Sequence, residues 1–504
     1  MPTAEITPAF GIEAPIVAIA FVAILIFVGY YSYKKRVGAT IYDFFLASRL
    51  LGYFVLGLSL YAAQYSGNSF IGYAARGYRS GFVFLMYPAF MVTILPVLLI
   101  VASRLIPISI NRKLTLPTDY IRVRFGYGGS KSVIEAILAL SLVFLVWGTF
   151  VQFFEQAIAM GYLGEVISAG MFPYMYMVVV FVVGVIIFTI LGGFRGAALA
   201  NAVMGLVMLL GLVGTLAMVS KDFGSISDAV MVLAKSKPSL ISTPSTTTGV
   251  INWFSTIALV GVGAPLYIHI LQHVMASKDP STFKRTFLFT PYFYILTATS
   301  LLFIGIIGAS AIPGLGTMES ERIVPLLVVN AAAKDPYSKV WGLLWLMAVL
   351  SATLSTAATT IIAISVTVVR EVYRAVRPAA TERETLLVSR IILALIALLA
   401  IPIVIEPRAT IWRWTEIKFE GLIQVFPAIV LSLYIPWVNS KGVLSGMIAG
   451  AITALALTLS GTATVQGIHA GVIGLILNTV ICLIVSRVTV KPDEIAYAKT
   501  LLTS

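Results

Sequence analysis

Two stretches of this sequence place oxygen- and nitrogen-bearing side chains where hydrocarbon is expected. The first is Gln64, Tyr65, Ser66, Gly67, Asn68 and Ser69, a polar or small interruption inside the apolar run 50–73. Lipid offers no hydrogen bonds, so an unwound backbone at that depth needs protein or a water-filled cavity around it. The second stretch, 350–360, carries hydroxyls at Ser351, Thr353, Ser355, Thr356, Thr359 and Thr360. Ala352, Ser355 and Thr356 share one helix face through i, i+3 and i+4 spacing. Hydroxyls together with carbonyls released by an unwound helix are hard, neutral ligands that suit a dehydrated sodium ion. The competing arrangement is a small-residue packing face whose Ser and Thr bond back to their own helix.

Few other residues offer chemistry. Glu155 lies in the apolar run 133–157, three residues after Gln152 and on a similar face. An intramembrane carboxylate points to a proton relay or a cation contact, and a shallow, solvated position is the alternative. Glu416 and Glu420, one turn apart beside Arg413 and Lys418, are expected to form an outer ion-pair cluster. His269 and His273 follow a second breakable stretch, Gly261, Gly263, Ala264 and Pro265. A His pair at i, i+4 can bind metal, but no third ligand accompanies it, so no metal site is expected. His269 is expected at the cavity or an inner gate, and His273 nearer the interface. Cys482 stands alone in an apolar run, which excludes an intrachain disulfide and suggests packing.

The elements that must position these residues are membrane helices. The chain has 504 residues, 59% hydrophobic and 11% charged, with a mean hydropathy of +0.99. Soluble domains carry about 25% charged residues, so the composition indicates an integral membrane protein, read as one polytopic domain over 1–504. The net charge of +13 belongs to no basic helix interleaved with aromatics, which excludes a nucleic-acid surface. Runs near the ~20 residues needed to span occur at 14–33, 50–73, 82–103, 133–157, 172–191, 196–219, 251–275, 286–311, 340–369, 387–406, 411–437, 442–461 and 466–486. The expected fold is therefore all-α with about 13 transmembrane helices. Lys34, Lys35 and Arg36 follow the first span, and later cations gather at alternate connections. The positive-inside rule then puts the N-terminus outside and, after an odd number of spans, the C-terminus in the cytoplasm. The two breakable spans are five apart. They would open two five-helix units, 50–219 and 251–437, of inverted topology, with one extra N-terminal helix (14–33) and two C-terminal ones (442–486). A broken first helix in each unit is the leucine-transporter-type 5+5 pattern, with a solute site between the breaks.

The motifs resemble those of the sodium:solute symporters, notably the pantothenate and proline carriers. Residues 62–72 look like that family's first core helix, and Leu116 to Tyr120 followed by Arg122 to Gly126 looks like its cytoplasmic segment. Gly192 to Arg195 with 205–211 matches the fifth core helix and its lead-in. Gln272 to Asp279 resembles the end of the sixth, and Ser355, Thr356 and Arg370 to Tyr373 resemble the eighth. The resemblance runs from about residue 40 to 460. It implies a sodium site made of carbonyls from Ala62, Tyr65 and Ala352 and hydroxyls of Ser355 and Thr356. It places solute against Gln64, Ser66, Asn68 and Ser69, with Gln152 and Tyr267 facing the cavity; gating or proton coupling at Glu155, Asn201 and His269 is a separate expectation, drawn from those residues themselves. Many members have Asp at the position of Asn201, and some have Asp at that of Gln64, so this chain leaves the ion to neutral oxygens.

The function this implies is sodium-coupled symport of a small polar organic solute by alternating access, with proton coupling as the alternative. No cofactor beyond the coupling ion and no protein partner is expected. An enzyme would need acidic metal ligands or a large catalytic loop, and the long loops 220–250 and 312–339 carry no such cluster.

Overall fold

The computed structural model describes residues 9–34 and 46–503, with the side chains of 29–34 and 191–197 left undescribed. The main helices are α1 (Glu13–Lys34), α2 (Tyr53–Gln64), α3 (Ala74–Ser80), α4 (Met86–Asn111), α5 (Lys131–Ile167), α6 (Tyr174–Phe223) and α7 (Thr247–Gly263). They continue with α8 (Ile268–Met275), α9 (Thr290–Ala311), α10 (Pro336–Val368), α11 (Glu382–Val404), α12 (Ile411–Leu422), α13 (Ser440–Leu459) and α14 (Ala470–Thr489). A two-residue hairpin, Thr464–Val465 with Ile468–His469, joins α13 to α14.

Among the described residues ten helices are long and apolar enough to cross a membrane, fewer than the 13 expected. Three shorter apolar helices, Glu13–Val28, Tyr53–Gln64 and Tyr174–Ile190, lie at the remaining expected spans 14–33, 50–73 and 172–191. The spans expected at 172–191 and 196–219 lie on α6, which runs unbroken for 50 residues. At 1.5 Å per residue that is about 75 Å, well beyond one crossing of ~30 Å. No proline interrupts it, and Gly192 and Gly193 do not break it. The motif Gly192 to Arg195 and the cations Lys34, Lys35 and Arg36 lie outside the residues whose side chains are described.

Both expected breaks are present, and each falls on a tyrosine. α2 ends at Gln64, and Tyr65 turns extended (φ −88°, ψ 121°) before a wide helical turn, Asn68–Tyr73, leads into α3. α7 ends at Gly263, passes through a tight turn at Ala264–Leu266, and opens at Tyr267 (φ −54°, ψ 140°) before α8. α10 is the central rod, packed against α2, α5 and α6. Small residues allow this approach: a Cβ on Gly211 of α6 would stand 2.5 Å from that of Ala348 of α10.

The loop motifs also meet. Arg370 reaches Asp119 at 3.1 Å, Thr118 donates to Glu371 at 2.7 Å, and Arg122 pairs with Glu371. The long loops 220–250 and 312–339 join through Lys221–Asp335 at 2.6 Å.

Candidate functional site

The break in α2 leaves carbonyls at its C-terminal end without helical partners. Two hydroxyls of α10 answer them. Ser355 donates to the Ala62 carbonyl at 2.7 Å, and Thr356 approaches the Ala62 and Ala63 carbonyls at 3.5 and 3.3 Å. Ser355 also meets the Ala352 carbonyl at 3.1 Å. The other hydroxyls of the stretch behave differently. Ser351, Thr353, Thr359 and Thr360 bond back to carbonyls of their own helix at 2.7–3.1 Å. Both arrangements left open by the spacing are therefore realised, on different residues. Ala62, Ala352, Ser355 and Thr356 are all fully buried and bring their neutral oxygens together. Tyr65 lies just beyond, at the break itself, with its phenol donating to the Tyr294 carbonyl at 2.5 Å.

On the far side of the break the chemistry is charged. Glu155 of α5 and Lys418 of α12 form an ion pair with both side chains at 0% exposure. The Glu155 carboxylate also accepts from Asn68 at 2.8 Å and Thr415 at 2.9 Å. Gln152, one turn earlier, accepts from Lys418 at 2.5 Å, from the Tyr267 phenol at 3.0 Å and from Asn68 at 3.3 Å, while donating to Ser66 at 3.2 Å. Ser66 donates to the Asn68 amide oxygen, and Ser69 does so at 3.4 Å. Next to this network is a small cavity of about 20 Å³, lined by Gln64, Asn68, Ser69, Gln152, Tyr267 and Phe419 among others. The Gln64 amide oxygen has no partner there.

All six residues expected to face solute thus surround one cavity or the network behind it. Glu155 is deep rather than shallow, which removes the solvated alternative. The expected outer cluster divides. Glu416 accepts from Trp412 at 2.7 Å and Arg413 at 3.0 Å, and Glu420 accepts from Thr458 at 2.5 Å. Lys418 belongs to neither, because its helix face, shared with Ile411, Thr415 and Leu422, points into the core. Gln156 was also missed. Its amide oxygen accepts the Gly67 N–H at 2.8 Å and caps the free amide that the break creates. The available signal is a pair of opposite charges, Lys418 in the span 411–437 and Glu155 in the span 133–157, since intramembrane charges pair with one another.

Asn201 and the histidines sit below the ion side. Asn201 donates to Ser59 at 3.4 Å, and Ser59 meets His273 Nε2 at 2.9 Å. His273 is fully buried rather than interfacial, held by the His269 carbonyl at 2.6 Å. The His269 ring lies against Tyr267, 5.0 Å between centroids, with neither nitrogen hydrogen-bonded. No cluster of three metal-ligating side chains occurs among the described residues.

Comparison with known proteins bears on the family and the fold. Residues 44–450 match the Sodium:solute symporter family. The chain is 27% identical to the osmoregulated proline transporter OpuE of Bacillus subtilis, over 95% of each chain. It is 28% identical to the sodium/pantothenate symporter of Escherichia coli, over 94% of this chain and 96% of that one. Among solved structures, a substrate-bound, outward-open Na+-coupled sialic acid symporter superposes with a TM-score of 0.74 at 18% identity, covering 95% of this chain and 98% of that one. A nucleobase-cation-symport-1 family transporter in a closed conformation gives 0.55 at 14% identity, covering 93% and 100%.

Proposed function

Because the chain belongs to the sodium:solute symporter family, a family of transporters and not of enzymes, we propose that it moves a small polar organic solute into the cell with sodium, by alternating access. The observation that carries this reading is the reach of the Ser355 and Thr356 hydroxyls across to the Ala62 and Ala63 carbonyls. Sodium as cargo would enter among Ala62, Tyr65, Ala352, Ser355 and Thr356, replacing those hydrogen bonds with ion–oxygen contacts. Solute would occupy the neighbouring cavity, against Gln64, Ser66, Asn68, Ser69, Gln152 and Tyr267. Asn201 and His269 lie where the ion would leave. Coupling arises because both cargoes join the same broken helix to its neighbours, so each favours the same conformers.

The architecture in this reading is the inverted 5+5 arrangement, with the units opening at the two tyrosine breaks. The cation distribution supports a multi-pass protein of the cell membrane with the N-terminus outside and the C-terminus in the cytoplasm. Proton coupling is the weaker reading, because Glu155, the carboxylate that motivated it, is committed to Lys418.

The test is thermal stability of the purified protein in sodium chloride against choline chloride at equal ionic strength. Sodium is expected to stabilise it, and Ser355→Ala with Thr356→Ala to raise half-saturating sodium about tenfold or more. No sodium-specific stabilisation, together with proteoliposome uptake driven by a pH gradient alone, overturns the reading.

A further inference from the structure

Donors outnumber acceptors around Glu155 and Lys418. The Lys418 ammonium, the Tyr267 phenol and the Asn68 amide all aim at Gln152 Oε1, which has two lone pairs to share among three donors. Lys418 and Asn68 turn also to the carboxylate of Glu155, as does the Thr415 hydroxyl. A site so rich in donors favours an incoming acceptor with several lone pairs, and a carboxylate supplies them. Gln152, Asn68 and Tyr267 line the cavity, and through Gln152 and Asn68 a solute there reaches Lys418 and Glu155, which lie behind its wall.

Charge balance then restricts the solute. The resident pair is neutral and both members are wholly buried. A solute carboxylate that takes Lys418 leaves Glu155 ionised without a cation, and an uncompensated buried charge is strongly unfavourable. A solute cation that takes Glu155 leaves Lys418 in the same position. A molecule carrying both groups satisfies both residues. Its carboxylate pairs with Lys418, its ammonium with Glu155, and the core holds two ion pairs with no net charge.

We propose that the Glu155–Lys418 pair is the solute-recognition element of this site, and that the solute is a zwitterion with a carboxylate and an ammonium group, of the amino- or imino-acid class, which opens the pair by exchanging partners. This rests on the transport reading above and assigns its solute class. The absence of a free partner for the Gln64 amide oxygen adds an acceptor on the cavity wall for a further N–H of the ammonium.

The experiment is a thermal-shift panel on the wild-type protein in sodium: proteinogenic amino and imino acids, their methyl esters, their N-acetyl derivatives, and the uncharged and anionic comparators glucose, lactate and pantothenate. At least one zwitterion is expected to stabilise the protein, and its ester and N-acetyl forms to bind roughly tenfold to hundredfold more weakly. The charge-neutral variant Glu155→Gln with Lys418→Met should lose zwitterion binding while its sodium-induced shift persists. The proposal is overturned if a blocked form binds as well as its parent, if lactate, pantothenate or glucose binds and no zwitterion does, if no compound of the panel stabilises the protein, or if the double variant keeps its zwitterion affinity. Each of these can occur with the sodium-induced shift intact, whereas loss of that shift in wild type strikes the transport reading instead. The wild-type arm decides the matter should the variant not fold.

Discussion

On one side of the break after Gln64, Ser355 and Thr356 set hydroxyls against bare carbonyls. On the other, Glu155 and Lys418 set one full charge against another at the same zero exposure. The two sides are only a few residues apart along the chain and stabilise the same unwound segment by different physics. Neutral oxygens are individually weak and easily re-aimed, each hydrogen bond contributing about 0.5–1.5 kcal/mol. An ion can therefore replace them at little cost. The charge pair holds its members far more firmly, since removing either partner leaves the other stranded, at roughly 3–5 kcal/mol. The ion side is built for exchange with a simple cation. The solute side admits only what can replace both charges together.

The largest expected effect breaks the comparison at its stronger side. Lys418→Met or Glu155→Gln alone should lower stability by about 3–5 kcal/mol, whereas the double substitution, which removes both charges, should recover most of it. A denaturation series on the two single variants and the double variant measures this. If the single substitutions cost no more than loss of one neutral hydrogen bond, the two sides do not differ in kind.

The same contrast explains what the sequence made legible. Ser355, Thr356 and Ala352 could be picked out because helical spacing is local: three residues within one and a half turns decide which face they share. The breaks were legible because Gly, Pro and polar side chains interrupt apolar runs that otherwise obey a simple length rule. Lys418 was placed outside because its neighbours Glu416 and Glu420 supplied a local explanation for its charge. Its true partner is 263 positions away in sequence, and only the packing of α12 on α5 brings them together. Gln156 was invisible for a similar reason, since the free N–H of Gly67 exists only once the chain has broken. Four of the six hydroxyls in 350–360 bond only to their own helix, a distinction that composition cannot draw.

A smaller effect tests whether both sides depend on the same close approach. A Cβ on Gly67 would sit 2.3 Å from Thr353 Cγ2 and 3.0 Å from Ala159 Cβ. Gly67→Ala should cost about 1–3 kcal/mol by overpacking and weaken sodium and solute stabilisation together, because it displaces the segment between them. Loss of one ligand's thermal shift with retention of the other would show that the two sides are independent. Smaller still, Ser355→Ala should cost about 1 kcal/mol of stability yet reduce sodium affinity, while Thr353→Ala, whose hydroxyl only bonds back to its own helix at 2.9 Å, should leave sodium affinity unchanged. Equal sodium effects from the two would erase the distinction between hydroxyls that reach across and those that do not.

A further effect concerns another buried carboxylate, away from both sides of the break. Glu321, in the short turn Glu319–Arg322, is paired with Arg79 at 2.9 Å while its second oxygen has no partner. Burial pushes its carboxyl up to about 7 from an ordinary 4.5, with Arg79 pulling the other way. The folded chain therefore holds this proton more tightly than the unfolded chain does. The stability that comes with the neutral carboxyl is complete below about pH 4.5 and is lost as pH rises through about 7. Melting temperature should fall across that window in the wild type, and Glu321→Gln, neutral throughout, should flatten the slope. An unchanged slope in Glu321→Gln would mean that Arg79 fully compensates the ionised form. The Glu321–Arg79 pair would then behave as Glu155 and Lys418 do, with each charge held by its partner and not by water.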